Sequence, residues 1–251
     1  MRGAIAACAV LVLALGAAGA WLLLHDDAKA TPKKAATSAP TTTVAAQPAK
    51  AVTATTKIPQ ISAYEDAVET SKVVTKLSDK TEYGVARTFL VTDQTSRPGW
   101  LRVLLPIRPN GASGWIKASD VTLGSSDYEI KVELGAHKLT LYKLGQPVLD
   151  SGIVIGKDKT PTPPGKFYIT DPVDLQKTPD TGYGVYALGI SGYSDVLTSF
   201  KGGPGQLAVH GTGNNGEIGK DISNGCVRVP NDVILKLALQ APLGTPVTIV
   251  A

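Results

Sequence analysis

The chain has 251 residues, and its 25 basic and 21 acidic residues give a formal net charge of +4 at pH 7. The whole excess of positive charge lies in the first 60 residues, which contain Arg2 and five lysines but only two acidic residues, Asp26 and Asp27. The rest of the chain therefore has no formal net charge. A neutral remainder argues against the basic surface of a nucleic-acid-binding domain, and we expect no nucleic acid as a partner. The remaining length suffices for one domain or two small ones.

An uncharged apolar run occupies residues 3–24, directly after Met1 and Arg2. A helix of this length, at about 1.5 Å per residue, crosses a hydrocarbon core of about 30 Å. We therefore predict a transmembrane signal-anchor over residues 1–27. The protein would then be a single-pass protein of the cell membrane, with its globular part outside the cytoplasm. Cleavage near Ala20, which would release a secreted protein, is the alternative.

Residues 28–60 consist largely of alanine, threonine, proline and lysine and contain no aromatic side chain. Such a segment cannot bury enough apolar surface to offset the entropy lost on ordering. The composition predicts a disordered tether between the anchor and the globular part.

Residues 61–124 show the alternation of apolar and polar residues that is typical of β-strands. Two Gly-Trp pairs, which end at Trp100 and Trp115, flank a Pro-Asn-Gly turn. The pattern predicts two strands that face each other across a hairpin, with both tryptophans in the core. This segment resembles the small SH3-like barrels of bacterial wall-associated proteins.

Residues 125–251 also read as mostly β, with one segment of helical spacing over residues 231–244. Asn231 is the predicted N-cap of this helix, Pro242 its stop and Gly244 a turn residue beyond its C-terminus. The predicted fold class is mostly β, with one or two short helices.

Two histidines lie beyond the predicted tether, and their surroundings differ. His137 belongs to an alternating stretch that ends in a glycine turn, which predicts a solvent-facing hairpin residue. His210 ends an apolar strand and is followed by Gly-Thr-Gly, which places its imidazole at the rim of a domain, where loops carry function.

Cys226 lies in the turn-forming sequence "SNGC" and is the only cysteine beyond the apolar N-terminal run. An internal disulfide in the exported part is excluded because no partner exists. One cysteine with one or two histidines does not supply a metal site, so neither a metal nor another cofactor is expected. Two interpretations stay open, a buried inert thiol and a nucleophile with a histidine as its base. The turn sequence favours the nucleophile.

The stretches "HGTGNN" and "ISNGCVRVPN" resemble the signature of the L,D-transpeptidases with a YkuD-type domain. That signature is a histidine followed later by Ser/Thr-His-Gly-Cys. "TPTPPGKFYI" and "GTPV" resemble further family segments, and the resemblance covers residues 127–251. The predicted anchor and barrel make the whole chain similar to membrane-anchored actinobacterial members of this family.

The resemblance implies that Cys226 attacks a peptidoglycan tetrapeptide stem, releases the terminal D-alanine and forms a thioester. An amine of a neighbouring stem would then resolve the thioester. His210 would transfer the protons, Gly211 would orient the imidazole through its carbonyl, and Gly225 and Cys226 would offer amides to the oxyanion. Carbapenem β-lactams are the inhibitors that this chemistry implies.

Three neighbouring residues complete the expected site. Ser223 is expected to support the loop of the nucleophile, and Arg228 is expected to form an ion pair rather than to bind a substrate carboxylate. Asn224 replaces the second histidine of the signature and cannot carry a proton at neutral pH. We expect Asn224 to position the loop or the oxyanion.

Two alternatives stay open. An L,D-carboxypeptidase would use the same thioester and let water resolve it. A non-catalytic protein that binds the cell wall would retain Cys226 and His210 without using them.

Overall fold

The computed structural model describes residues 50–178 and 182–251. The predicted anchor and most of the predicted tether, residues 1–49, lie outside these ranges. No helix within the described ranges is long and apolar enough to cross a membrane. Strands dominate both halves of the described chain, so the mostly-β prediction is confirmed.

The first half of the described chain forms an antiparallel sheet with the strand order β3-β2-β6-β5-β4-β1-β7. Its strands are β1 (Ala51–Thr56), β2 (Gln60–Tyr64), β3 (Val73–Ser78), β4 (Thr88–Asp93), β5 (Trp100–Leu104), β6 (Ser113–Lys117) and β7 (Val121–Ser126). Alternate residues of β5 and β6, such as Leu101, Val103 and Ile116, enter one buried cluster around Phe89. The period of two therefore gives this sheet one apolar face, which forms its core.

The predicted hairpin with two Gly-Trp pairs is present, but the prediction that both tryptophans lie in the core is wrong. Trp100 and Trp115 are half-buried and alternate with the residues that enter the buried cluster. Strands β5 and β6 pair in antiparallel register, with Arg102 opposite Trp115 and Trp100 opposite Lys117. The rings of Trp100 and Tyr64 meet edge to face, with their centroids 5.5 Å apart. The likeness of this sheet to an SH3 barrel stays a prediction.

The predicted end of the tether at residue 60 is wrong. Residues 51–56 form β1, which lies inside the sheet between β4 and β7. Thr53 and Ala54 are buried there. Their small β-branched and methyl side chains fit beside neighbouring strands, and these long-range partners supply the stability that the local composition lacks. The N-terminal sheet thus begins at Ala51 rather than at residue 61.

The second half of the described chain forms a mixed sheet with the order β10-β9-β8-β17-β12-β13-β14-β16. Its strands are β8 (Tyr128–Glu133), β9 (Lys138–Lys143), β10 (Gln146–Gly152), β12 (Gly165–Asp174), β13 (Tyr186–Tyr193), β14 (Gln206–Thr212), β16 (Val227–Pro230) and β17 (Pro246–Val250). The short strands β11 (Ile155–Gly156) and β15 (Asp221–Ser223) pair beside it. Two pairs within the eight-stranded sheet are parallel, β14 with β16 and β17 with β8, and the β11–β15 pair is parallel as well.

One α-helix in the described ranges, α1 (Asn231–Gln240), packs on this sheet through Val233, Ile234 and Leu237. The prediction of a helix here is confirmed, and its C-terminal turn contains Gly244 at φ +80°. The predicted N-cap is wrong, because Asn231 lies within the helix. Its side-chain oxygen instead accepts a hydrogen bond from the Val185 amide at 3.2 Å, which ties α1 to the segment before β13.

The loop between β5 and β6 fastens the N-terminal sheet to the end of β13. Asn110 Nδ2 donates to the Tyr193 carbonyl and Asn110 Oδ1 accepts from the Tyr193 amide, both at 2.8 Å. The Arg108 guanidinium lies 4.7 Å from the centroid of the Tyr193 ring, and its Nη2 donates to the Leu197 carbonyl at 3.0 Å. We call Arg108, Asn110 and Tyr193 the junction clamp.

Candidate active site

A cleft of about 200 Å³ opens at the C-terminal part of β14. It is lined by residues from β14, from β16 and the turn before it, and from the segment after β13: His210, Asn224, Cys226, Arg228, Phe200 and Lys201, among others. The predicted site residues His210, Ser223, Asn224, Cys226 and Arg228 are thus brought together.

Parallel pairing explains why His210 and Cys226 share this cleft. In the register of β14 and β16, Val209 lies opposite Val227 and His210 opposite Arg228. Cys226, the residue before β16, therefore lies beside Ala208. Parallel strands need a crossover connection, and residues 213–226 supply it. The two chemical groups meet through this crossover, although they are distant in sequence.

The imidazole of His210 is buried, with 2% of its surface exposed. Its Nδ1 lies 2.9 Å from the Gly211 carbonyl oxygen. A carbonyl can only accept, so Nδ1 carries the proton, and in the neutral ring Nε2 is the basic nitrogen. The predicted contact between Gly211 and the imidazole is present. The Tyr183 ring packs against the imidazole, with their centroids 4.7 Å apart.

The Cys226 thiol is a protonated group at rest. Burial raises the pKa of this thiol, because a buried thiolate loses its hydration. The Ala208 backbone hydrogen bond and the charge of Arg228 lower the pKa, but they do not offset burial. The thiol therefore needs a base to give up its proton during a reaction.

Ser223 holds the turn that presents Cys226. This side chain is 1% exposed, and its Oγ donates to the Cys226 carbonyl at 2.6 Å. The same Oγ accepts the Gly225 amide at 3.1 Å. Gly225 has φ +115°, a conformation that side chains with a Cβ rarely adopt. The predicted support of the loop by Ser223 is present in the structure.

The Gly225 amide is not available as an oxyanion donor in this structure. Its hydrogen bond to Ser223 Oγ occupies it. The resemblance to the family implied that role for Gly225, which directly precedes the nucleophile. The hydroxyl two residues earlier competes for the same N–H, as serine side chains commonly do in turns. Of the two predicted amide donors, that of Cys226 remains.

Two threonines that the sequence analysis did not predict stabilise the turn that presents Cys226. Thr160 Oγ1 donates to the Ser223 carbonyl at 3.2 Å, and Thr162 Oγ1 donates to the Gly225 carbonyl at 2.8 Å. Thr162 Oγ1 also accepts the Gly156 amide at 2.9 Å. Both side chains are buried. The signal was present in "TPTPPG", a segment that the resemblance identified without assigning a role to either threonine.

Arg228 forms the expected ion pair. Its Nη1 donates to Glu217 Oε2 at 3.0 Å, and both side chains are largely buried. Asn214 Nδ2 donates to the other oxygen of Glu217 at 3.2 Å. This pair holds the crossover against β16. Asn224 lines the cleft beside Cys226 with an intermediate exposure, where a neutral amide can position a ligand.

His137 is not simply a solvent-facing residue. Its Nε2 contacts Asp221 Oδ1, at the start of β15. The His137 carbonyl also accepts the Ile153 amide at 3.0 Å. The prediction that His137 lies in a hairpin is confirmed, since it connects β8 and β9. Its contact with Asp221 depends on a residue 84 positions away, so no local pattern could predict it.

The fold and the cleft together define a thiol–imidazole site of the kind used in acyl transfer. Comparison with known proteins narrows this class. Residues 127–249 match the family model of the L,D-transpeptidase catalytic domain, YkuD. The C-terminal half of the chain is a YkuD-type L,D-transpeptidase catalytic domain.

Individual proteins and solved structures are similar to this domain. A Bacillus subtilis protein named L,D-transpeptidase YkuD is 36% identical over 122 residues, which cover 49% of this chain and 65% of that protein. The chain thus spans less than two thirds of that relative. The crystal structure of an Enterococcus faecium L,D-transpeptidase is 26% identical, covers 50% of each chain and has a TM-score of 0.39. The E. faecium catalytic domain acylated by ertapenem is 28% identical over 50% of this chain and 98% of its own, with a TM-score of 0.37.

Proposed function

We propose that the protein is an L,D-transpeptidase that cross-links peptidoglycan stems through a thioester on Cys226. The observation that carries the proposal is the placement of Cys226 and His210 in one cleft on neighbouring parallel strands. The hydrogen bond from His210 Nδ1 to Gly211 sets the tautomer that a base requires.

Acylation begins with proton transfer from the Cys226 thiol to His210 Nε2. The sulfur attacks the carbonyl carbon of the third residue of the donor stem, and a tetrahedral oxyanion forms. Collapse breaks the bond to the terminal D-alanine, whose amine takes the proton from the imidazolium. A base with a pKa near neutrality can serve both transfers.

Deacylation reverses the order of these events. An amine of an acceptor stem attacks the thioester carbonyl and gives its proton to His210. The carbon–sulfur bond breaks, and the imidazolium returns the proton to the thiolate of Cys226. The products are a cross-linked dimer of stems and the resting thiol.

The developing oxyanion needs hydrogen-bond donors. Because the Gly225 amide donates to Ser223 Oγ, we assign the oxyanion to the Cys226 amide. Asn224, which lines the same cleft, supplies a second donor through its side-chain amide. Removal of one oxyanion donor costs about 3 kcal/mol of transition-state stabilisation in comparable sites.

Intact-mass measurement after incubation with a carbapenem tests the nucleophile. A carbapenem presents a strained carbonyl that stands in for the donor carbonyl. We expect one covalent adduct on the unaltered protein and none on Cys226→Ala. An unaltered protein that gains no adduct, while it is folded by circular dichroism, contradicts the proposal.

Product analysis with purified tetrapeptide stems tests the acceptor. Dimers indicate transpeptidation, whereas tripeptide alone indicates that water resolves the thioester, as in an L,D-carboxypeptidase. We expect dimers. Unchanged tetrapeptide in the presence of a carbapenem-reactive Cys226 would show that stems are not the donor.

The location of the protein is part of the proposal. The apolar run of residues 3–24 supports a membrane anchor, and the stem substrates lie outside the cytoplasm. Fractionation of cells that express the tagged chain tests this. We expect the full-length protein in the membrane fraction, accessible to protease added outside the cell, whereas a shortened chain in the medium would indicate cleavage.

A further inference from the structure

Tyr83 is an exposed aromatic residue that a rigid turn of the N-terminal sheet presents. Its surface is 61% exposed. The Gly84 amide donates to the Thr81 carbonyl at 3.0 Å, and the Thr81 amide donates to the Val85 carbonyl at 2.8 Å. Gly84 takes φ +74°, which closes the turn directly after Tyr83.

Arg87 fixes this turn to the strand before it. Its Nε donates to the Ser78 carbonyl at 2.6 Å, and its Nη2 donates to the Lys80 carbonyl at 2.8 Å. The Arg87 amide donates to the Asp79 carbonyl at 2.7 Å. Because both arms of the turn are joined in this way, Tyr83 has a defined position relative to the sheet.

Tyr83 forms one wall of a cavity of about 230 Å³ whose other lining residues belong to the catalytic domain. The described lining residues carry no charged side chain, and they include Val173, Leu175, Tyr183, Ala187, Gln206 and Ala208. We call this cavity the Tyr83 groove. Its lining favours an uncharged and partly apolar ligand.

The Tyr83 groove adjoins the catalytic cleft. Tyr183 lines both cavities. Ala208 lies in the groove and forms a backbone hydrogen bond with Cys226. Ala208 and His210 are two residues apart on β14, so their side chains lie on one face of the sheet. Gly189 lies opposite Ala208 in the register of β13 and β14. Because Gly189 has no side chain, it leaves open space at the bottom of the groove.

The junction clamp joins the N-terminal sheet, whose β3–β4 turn carries Tyr83, to the catalytic domain. The paired hydrogen bonds between Asn110 and Tyr193 join the two sheets through backbone atoms of β13. The Tyr193 hydroxyl also donates to the Pro106 carbonyl at 2.9 Å. The N-terminal sheet therefore supplies a fixed wall to the groove.

We propose that the Tyr83 groove is a substrate subsite that binds an uncharged, partly apolar segment of the acyl-donor stem, with Tyr83 packed on that segment. This inference rests on the proposed function. The donor is favoured because the groove begins at Ala208, beside the sulfur to which the donor becomes bonded.

Tyr83→Ala tests the subsite, because the side chain is exposed and its loss leaves the fold intact. We expect the KM for acylation by a tetrapeptide stem to rise about fivefold with kcat unchanged, the effect of one lost aromatic contact. Acylation by a carbapenem, which lacks the stem, should keep its rate. Tyr83→Phe, which retains the ring, should restore the KM.

Val68→Ala is the matched control, since Val68 is an exposed apolar residue of the same N-terminal part. We expect it to behave as the unaltered protein. Unchanged acylation of Tyr83→Ala by the stem overturns the proposal, even if attack by the acceptor amine slows. Equal slowing with the carbapenem also overturns it, because that result indicates a general structural defect. If the unaltered protein forms no carbapenem adduct, the proposed function itself is contradicted. The subsite proposal, which rests on that function, is then contradicted as well.

Discussion

Both sheets of this protein are built from short β-strands, but the chain connects neighbouring strands differently in the two sheets. The N-terminal sheet is antiparallel, and hairpins such as β5–β6 join neighbours in sequence. The catalytic sheet contains the parallel pairs β14–β16 and β17–β8, which join distant segments. Local pairing is sufficient to build a core. Long-range pairing places His210 and Cys226 in one cleft.

The first prediction compares the two histidines of the catalytic domain and carries the largest expected effect. His210→Ala should slow acylation of Cys226 by about 100-fold or more, because a general base contributes on that order. His137→Ala should leave acylation within a few-fold of the unaltered protein, since His137 contacts Asp221 rather than the cleft. Single-turnover acylation by a carbapenem measures both. Equal rates in the two variants would contradict the assignment of the base.

The second prediction compares two turn glycines, Gly225 before β16 and Gly99 before β5. Gly225→Ala should lower the free energy of unfolding by about 2 kcal/mol, because φ +115° strains an alanine. A new Cβ would also approach Leu207 Cδ2 at 3.1 Å. Gly99→Ala, at φ +80° with open space around it, should cost about 1 kcal/mol.

Urea unfolding measures both glycine variants. We also expect Gly225→Ala to slow acylation, because the turn that presents Cys226 must shift, and Gly99→Ala to acylate normally. A larger loss of stability in Gly99→Ala than in Gly225→Ala would contradict this comparison.

The third prediction concerns the junction between the sheets. Asn110→Ala removes the paired hydrogen bonds to Tyr193 and should cost about 1 kcal/mol of unfolding free energy. Gln94→Ala, an exposed amide of the same sheet, is the control and should change nothing. Thermal unfolding measures both. An Asn110 variant as stable as the control would show that the clamp does not contribute to stability.

The fourth prediction concerns the protonation of Cys226. Burial raises the pKa of this thiol, and only the thiolate reacts with iodoacetamide. The alkylation rate should therefore rise with pH and reach its midpoint above about 8.5, the ordinary thiol value. Mass spectrometry over a pH series measures it. Fast, pH-independent alkylation between pH 6 and pH 8 would instead indicate a thiolate already formed at rest.

Local patterns predicted much of the fold because strands, hairpins and the helix depend on neighbours in sequence. The β5–β6 hairpin follows from two Gly-Trp pairs around a turn, and α1 from its apolar spacing. The roles of Ala51–Thr56 and Asn231 were missed. Each depends on partners far away in the chain, namely β4 and β7 for the strand and Val185 for the asparagine.

The candidate site was predictable in its residue types but not in its contacts. Cys226 and His210 stood out because each was rare and lay in a turn-forming context. The bracing by Thr160 and Thr162 and the occupied amide of Gly225 depend on side-chain hydrogen bonds across the fold. A sequence specifies such contacts only through packing of the whole domain.

Peptide mapping of the acyl-enzyme tests the central claim most directly. The unaltered protein is mixed with a tetrapeptide stem, quenched in acid within one turnover and digested. The account predicts the mass of the tripeptide acyl group on the peptide that contains Cys226, and its absence from Cys226→Ser. An acyl group on another residue, or none on a protein that consumes the stem, would contradict it.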